Sequence, residues 1–148
     1  MKEDKEKLLH LEIATPDRVV FRGNVYEVIV PVEDGMWGIL PGHMNTLAYL
    51  RIGVIKVKEQ SGKVDFFATG EGFLELIDDN VYITVDSAEK AEEIDILRAK
   101  KEKEEIEKLL SEKKAITQKV QLYASLQKAL AKLKAVESLE EAKSSKER

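Results

Sequence analysis

The sequence predicts an α+β chain of two modules, an N-terminal antiparallel β-sandwich followed by a C-terminal antiparallel two-helix hairpin. Two observations carry that prediction. All eight glycines, all three prolines and eight of the nine aromatic residues lie at or before Tyr82, and everything from Ser87 onward lacks Gly and Pro and is rich in Ala, Glu, Lys and Leu. At Asp86 the spacing of apolar residues also changes, from two to three or four. The expected organisation is therefore a sandwich over 1–86, a helical hairpin over 87–137 and a polar tail over 138–148.

Each element follows from its own signal. Leu9-Leu11-Ile13, Tyr26-Val28-Val30, Ile55-Val57 and Val81-Ile83-Val85 alternate as half-buried strands do. Turn chemistry at Arg22-Gly23-Asn24, Asp34-Gly35, Ser61-Gly62-Lys63 and Asp78-Asp79-Asn80 separates the runs. The stretch Asp86-Ser87-Ala88-Glu89 resembles a capping box, which predicts that the first helix starts there. Its apolar stripe, Ile94, Leu97, Ile106, Leu109 and Leu110, is thin and broken by the charged run Lys100 to Glu105. The second helix is richer: Ile116, Val120, Tyr123, Leu126, Leu130 and Leu133 make one continuous apolar face. Between the helices, Ser111 to Ala115 holds neither Gly nor Pro, so its backbone preference permits either a turn or one long rod. The tail after Val136 is expected to fray.

Composition excludes several classes of function. With 148 residues the chain has room for one ordinary domain, or a small one with an appendage. A formal net charge of -4 gives no attraction to nucleic acid. The absence of cysteine removes disulfides, thiolate zinc sites and a cysteine nucleophile, and it fits a reducing compartment. No apolar run approaches the roughly 18 residues of a membrane span, and Met1 to Lys7 is too charged to open a secretory signal. Any membrane association is expected through partners only. His10 and His43 lie in different strand regions, and no P-loop, nucleophile elbow or H-E-x-x-H motif is present. His10 reads as a strand-surface residue and His43 as a hydrogen-bonding turn residue. Asp78, Asp79 and Asn80 lack the ligand pattern of a calcium loop and read as a hairpin turn. An enzymatic jelly roll would need a His/Glu metal cluster, which the sequence does not display. A plain coiled-coil adaptor would leave the glycine-rich segment without a purpose.

Three segments carry a resemblance. Gly35-Met36-Trp37-Gly38-Ile39-Leu40-Pro41-Gly42-His43, Thr69-Gly70-Glu71-Gly72-Phe73-Leu74-Glu75 and Ile94-Asp95-Ile96-Leu97-Arg98-Ala99 follow one another along the chain. They resemble, in turn, the G-x-x-G-[IV]-L-P-G-H loop, the G-G-F-x-E strand entry and the [IL]-D-x-x-R-A motif of the epsilon subunits of F-type ATP synthases. The similarity spans about Leu9 to Leu139. It implies a non-catalytic rotor subunit, peripheral on the cytoplasmic face of the membrane. Its implied partners are the gamma subunit, the c ring and the alpha/beta catalytic head. It also implies mobile C-terminal helices whose extended form opposes ATP hydrolysis.

Two groups of site residues follow from this resemblance. The ring and gamma contact falls on Gly35, Met36, Trp37, Gly38 and His43. Met36-Trp37 stands where family members often carry an acidic and an aliphatic residue, which shifts the contact toward burial; Trp37 alternatively belongs to the edge of the sandwich core. No cofactor is required, but ATP is implied as a regulatory ligand at Glu89, Ile94, Asp95, Arg98, Ala99, Lys128 and Lys132. Geometry bears on the second group. An antiparallel pair turning near Lys113 sets Arg98 opposite Lys128 and Asp95 close to Lys132, and Lys128 and Lys132 share a helix face. Such cations suit phosphate oxygens, Arg through a planar fork and Lys as point charges. The alternative is an ion-pair network, Asp95 with Lys132 and others around Arg98, that holds the hairpin shut. Lys128 and Lys132 stand where strongly binding members tend to have Arg, and Glu105 replaces another basic residue.

Overall fold

A computed structural model describes residues 7–112 and 116–146. Nine strands run in order: β1 (Leu9–Ala14), β2 (Val19–Val32), β3 (Gly35–Ile39), β4 (Thr46–Leu50), β5 (Gly53–Glu59), β6 (Val64–Thr69), β7 (Gly72–Ile77), β8 (Asn80–Val85) and β9 (Ala88–Lys90). A 3-10 turn (Ala91–Glu93) leads to helices α1 (Ile96–Ser111) and α2 (Ile116–Lys146). The strand order is β4-β7-β8-β1-β2-β5-β6-β9, with β3 added to β2. Pairing is antiparallel except between β1 and β8, which run parallel. The long strand β2 serves both layers. Its first half pairs with β1 and its second half with β3 and β5. Between the layers lie Leu9, Leu11, Ile13, Val25, Val28, Ile55, Phe67, Leu74 and Ile83, all buried, with the rings of Phe21 and Phe67 edge-on at 5.8 Å.

Most of the predicted turns form, and one does not. Asp78 and Asp79 have φ of 47° and 65°, the two successive left-handed residues of a two-residue hairpin joining β7 to β8. Arg22-Gly23-Asn24, by contrast, lies inside β2, opposite Glu12, Leu11 and His10 of β1. Gly23 has ordinary negative φ, and Arg22 Nε donates to Glu12 Oε1 across the ladder at 3.0 Å, so the segment is strand surface rather than a turn. Gly72 is needed for another reason. A Cβ there would stand 1.9 Å from the carbonyl oxygen of Thr84, which no side chain tolerates.

The start of the first helix moves from Asp86 to Ile96. Ala88, Glu89 and Lys90 instead pair with Thr69, Ala68 and Phe67 on the free edge of β6, where backbone partners are available that a helix start would leave unused. The sandwich therefore continues past residue 86. The cap of α1 is Asp95, whose Oδ1 accepts from the Arg98 amide at 3.1 Å.

The face that α2 buries also differs from the one its large residues predict. Ile116, Val120 and Tyr123 are 80%, 62% and 56% exposed, while Ala131, Ala135, Val136 and Leu139 are buried against Phe66, Ala68, Ala91, Ile94 and Ala99. The seat between the sheet and α1 is narrow, and alanines admit the close approach that leucines would prevent. Leu139 is buried and Ala142 half-buried there, so α2 continues through Lys146 and the expected frayed tail is helix over its described part. The turn expected near Lys113 lies outside the described residues.

Candidate functional site

The second group of predicted residues converges where β9, the 3-10 turn, α1 and α2 meet. Pairing with Ala68 fixes Glu89 on β9. Ile94 is nearly buried and Ala99 buried, and both anchor the start of α1 to the alanine seam. Capping occupies the Asp95 carboxylate. Together Glu89, Ile94, Asp95, Arg98, Ala99 and Lys132 line one cleft of about 260 Å³, with Glu93 and Glu102 completing its wall. A second cleft of about 250 Å³, which includes Lys128, Ser87 and Thr69, shares Glu89 and Lys132 with the first. All seven residues thus border two adjoining spaces.

Their ion pairs are not those expected from the hairpin register. Lys132 Nζ lies 3.3 Å from Glu102 Oε2 and 3.8 Å from Glu89 Oε1, and Arg98 Nε lies 3.4 Å from Glu102 Oε1. Lys128 Nζ lies 3.3 Å from Asp86 Oδ2. Among the described residues Asp95 forms no ion pair with Lys132; its carboxylate is turned to the backbone of its own helix. Lys132, not Arg98, joins all three elements, because among the described residues it reaches both Glu89 of β9 and Glu102 of α1 from α2. Reading the sequence missed Glu102 and Asp86. The i,i+4 step from Arg98 to Glu102 was the available signal.

The electrostatic character follows directly. The first of these clefts carries four carboxylates, Glu89, Glu93, Asp95 and Glu102, against two cations, Arg98 and Lys132. An anionic ligand therefore has to displace carboxylates from Lys132 rather than fill a bare cationic pocket. No cluster of His, Cys, Asp or Glu suited to a metal occurs among the described residues.

Comparison with known proteins places this architecture. Residues 8–91 match the family described as "ATP synthase, Delta/Epsilon chain, beta-sandwich domain". An ATP synthase epsilon chain from Nitratidesulfovibrio vulgaris is 40% identical over 129 residues, covering 87% of this chain and 96% of that protein. The chain belongs to the ATP synthase epsilon family. An epsilon chain from Symbiobacterium thermophilum is 38% identical, over 89% of this chain and 95% of that one. Among solved structures, a chain of the Euglena gracilis mitochondrial ATP synthase OSCP/F1/c-ring assembly has a TM-score of 0.72 at 25% identity. That match covers 82% of this chain and 76% of the other. A chain of the Tetrahymena thermophila mitochondrial ATP synthase central stalk and c-ring shares the fold at a TM-score of 0.62 and 15% identity, over 86% and 96% of the two chains.

The epsilon-family motif that opens at Gly35 is held differently from a free loop. Gly35, Met36, Trp37 and Gly38 form β3 against Val32 to Ile29 of β2, and Gly35 takes a φ of 138° as the hairpin begins. Trp37 is 43% exposed, which makes it an edge residue rather than core. His43 is the expected turn residue: its amide donates to the Leu40 carbonyl at 3.1 Å, and its Nδ1 lies 2.9 Å from the Met44 carbonyl oxygen. The β7–β8 hairpin braces this turn, with the Gly42 amide donating to Asp79 Oδ1 at 2.8 Å and the Asp78 amide to Asn45 Oδ1 at 2.9 Å. Met36, Trp37, Leu40 and Met44 present exposed apolar surface along this segment.

Proposed function

We propose that this chain is a non-catalytic central-stalk subunit of an F-type ATP synthase. In this reading it binds the gamma subunit and the polar loops of the c ring, and passes ring rotation to the alpha/beta catalytic head. The observation that carries the reading is similarity to epsilon chains over almost their whole length, sandwich and helices together. In the same reading the chain meets the membrane through these partners, on its cytoplasmic face; among the described residues no helix is long and apolar enough to cross a membrane. The exposed Met36, Trp37, Leu40 and Met44 supply the ring and gamma contact, held in position by the bonds from the β7–β8 hairpin. Pull-down of the full chain with gamma from the same cell extract tests the assignment. A chain that retains neither gamma nor ring subunits does not have this role.

The helices are the regulatory part of the same proposal. Folded on the sandwich they are clear of the head, and extended along gamma they oppose ATP hydrolysis. ATP holds the folded form by exchanging its phosphate oxygens for Glu102 and Glu89 at Lys132, with Arg98 and Lys128 on either side. Ile94 and Ala99 give the base an apolar wall. The acidic surplus of the cleft makes this a weak site. Even so, a ligand at a hundredfold excess over its dissociation constant adds about 2.7 kcal/mol to the form that binds it. Calorimetric titration of the isolated chain at millimolar ATP should give a saturable response that Arg98→Ala removes. An unresponsive wild-type chain leaves the cluster as a structural clasp only.

A further inference from the structure

On the opposite flank of α2 from the Lys132 cleft lies a larger groove of about 580 Å³, within the size range of small-ligand sites. Its floor is apolar, made by Ile29 and Val54 of the sheet, Phe66 of β6 and Leu130 of α2. Its charge is the reverse of the whole chain's. Acidic residues outnumber basic ones 28 to 24 in the sequence, yet the groove is lined by Arg51, Lys56 and Lys134 and by no described acidic residue. None of the three forms an ion pair with a described residue; the Arg51 guanidinium donates to the Glu33 carbonyl oxygen at 3.2 Å and shares a neighbouring cleft with Glu71. Lys56 and Lys134, with no acidic partner among the described residues, beside an apolar floor select an anion with a hydrocarbon body. We infer that this groove binds a single-chain fatty acid, its carboxylate on Lys56 and Lys134 and its chain along Ile29, Val54, Phe66 and Leu130.

Sheet and α2 both form the groove, so a bound fatty acid stabilises the seated helix by mass action. The site uses residues separate from the nucleotide cleft and does not depend on it. Calorimetry of the full chain with dodecanoate, below its micelle threshold, tests the inference. The expected result is saturable one-to-one binding with a raised Tm, and no binding of dodecyltrimethylammonium. Binding should weaken about tenfold in the Lys56→Gln, Lys134→Gln double variant. It should be lost in Leu130→Trp, a substitution at a 43%-exposed position that fills the groove while leaving the fold intact by circular dichroism. Equal binding of the cationic amphiphile, undiminished binding in Leu130→Trp, or binding of an acidic amphipathic peptide where dodecanoate fails would each overturn it.

Discussion

The sandwich interior and the seat of α2 are both apolar, but they are built from different residues. The interior interlocks large side chains, Leu9, Ile13, Ile39, Leu50, Phe67, Leu74 and Ile83, from both layers, and all are inaccessible or nearly so. In the seat, five small residues, Ala68, Ala91, Ala99, Ala131 and Ala135, surround Phe66, Ile94, Val136 and Leu139, and at the cleft the helices are tied down by half-buried to exposed ion pairs. Burial contributes roughly 25 cal/mol per Å² of apolar surface, and alanine offers little of it. The two regions therefore differ in what it takes to open them: the interior opens with global unfolding, and the seat opens locally.

Truncating Phe67 to Ala should produce the largest effect. The side chain is fully buried and meets Phe21 edge-on, so its loss costs about 3–5 kcal/mol of global stability by chemical denaturation. An effect below 1 kcal/mol would place the main core elsewhere. Overfilling the seat with Ala135→Leu is the matched experiment. It should cost about 1–3 kcal/mol, but as local opening: α2 amides should exchange faster while those of β1, β2 and β8 keep their protection. Equal loss of protection in both regions would mean that the chain is one cooperative unit.

The same contrast explains what could be read from the sequence. Strand alternation is a local signal, so β1, β5 and β8 were legible. Elements that depend on a distant partner were not. Arg22-Gly23-Asn24 is strand because β1 lies opposite it, and Ala88–Lys90 is strand because β6 has a free edge. The α2 stripe was misread because hydrophobicity marks Ile116, Val120 and Tyr123, whereas the close approach of α2 to the sheet selects the alanines beside them. At the cleft, the seven residues were legible as a group but their pairing was not. Antiparallel register alone places Asp95 near Lys132; it does not reveal that the Arg98 amide already occupies the Asp95 carboxylate.

The ion pairs set a smaller scale. Lys132→Gln removes the contacts to Glu89 and Glu102 at once, yet these half-buried pairs keep access to solvent, and pairs open to solvent contribute only about 0.2–1 kcal/mol each. The expected result is a modest loss of α2 protection in low salt and almost none in high salt, where wild type and variant should converge. A variant deficit that persists at 1 M salt would show that Lys132 acts through packing of its stem rather than its charge.

The smallest effect is a slope, and it lies at the join between the two regions. Asp65 is buried beneath the β5–β6 hairpin, with Oδ1 3.8 Å from both Lys63 Nζ and Lys90 Nζ, and Lys63 in turn 3.9 Å from Glu92 of the 3-10 turn. Neither of its buried oxygens has a hydrogen-bond donor among the described residues. A proton on neighbouring Glu59 supplies one. That hydrogen bond to Asp65, followed by burial and by the Asp65 charge, raises the Glu59 pKa above its ordinary 4.5, while Lys63 and Lys90 oppose the shift. The sign follows from linkage. A raised folded-state pKa contributes stability that is fully present below 4.5 and is lost as pH climbs through the folded value. Glu59→Gln keeps a neutral donor beside Asp65 at every pH, so its stability relative to wild type should rise from pH 4 to pH 7. Denaturation series at those two pH values measure the difference directly, and a constant offset between the two proteins would remove the shared proton from this join.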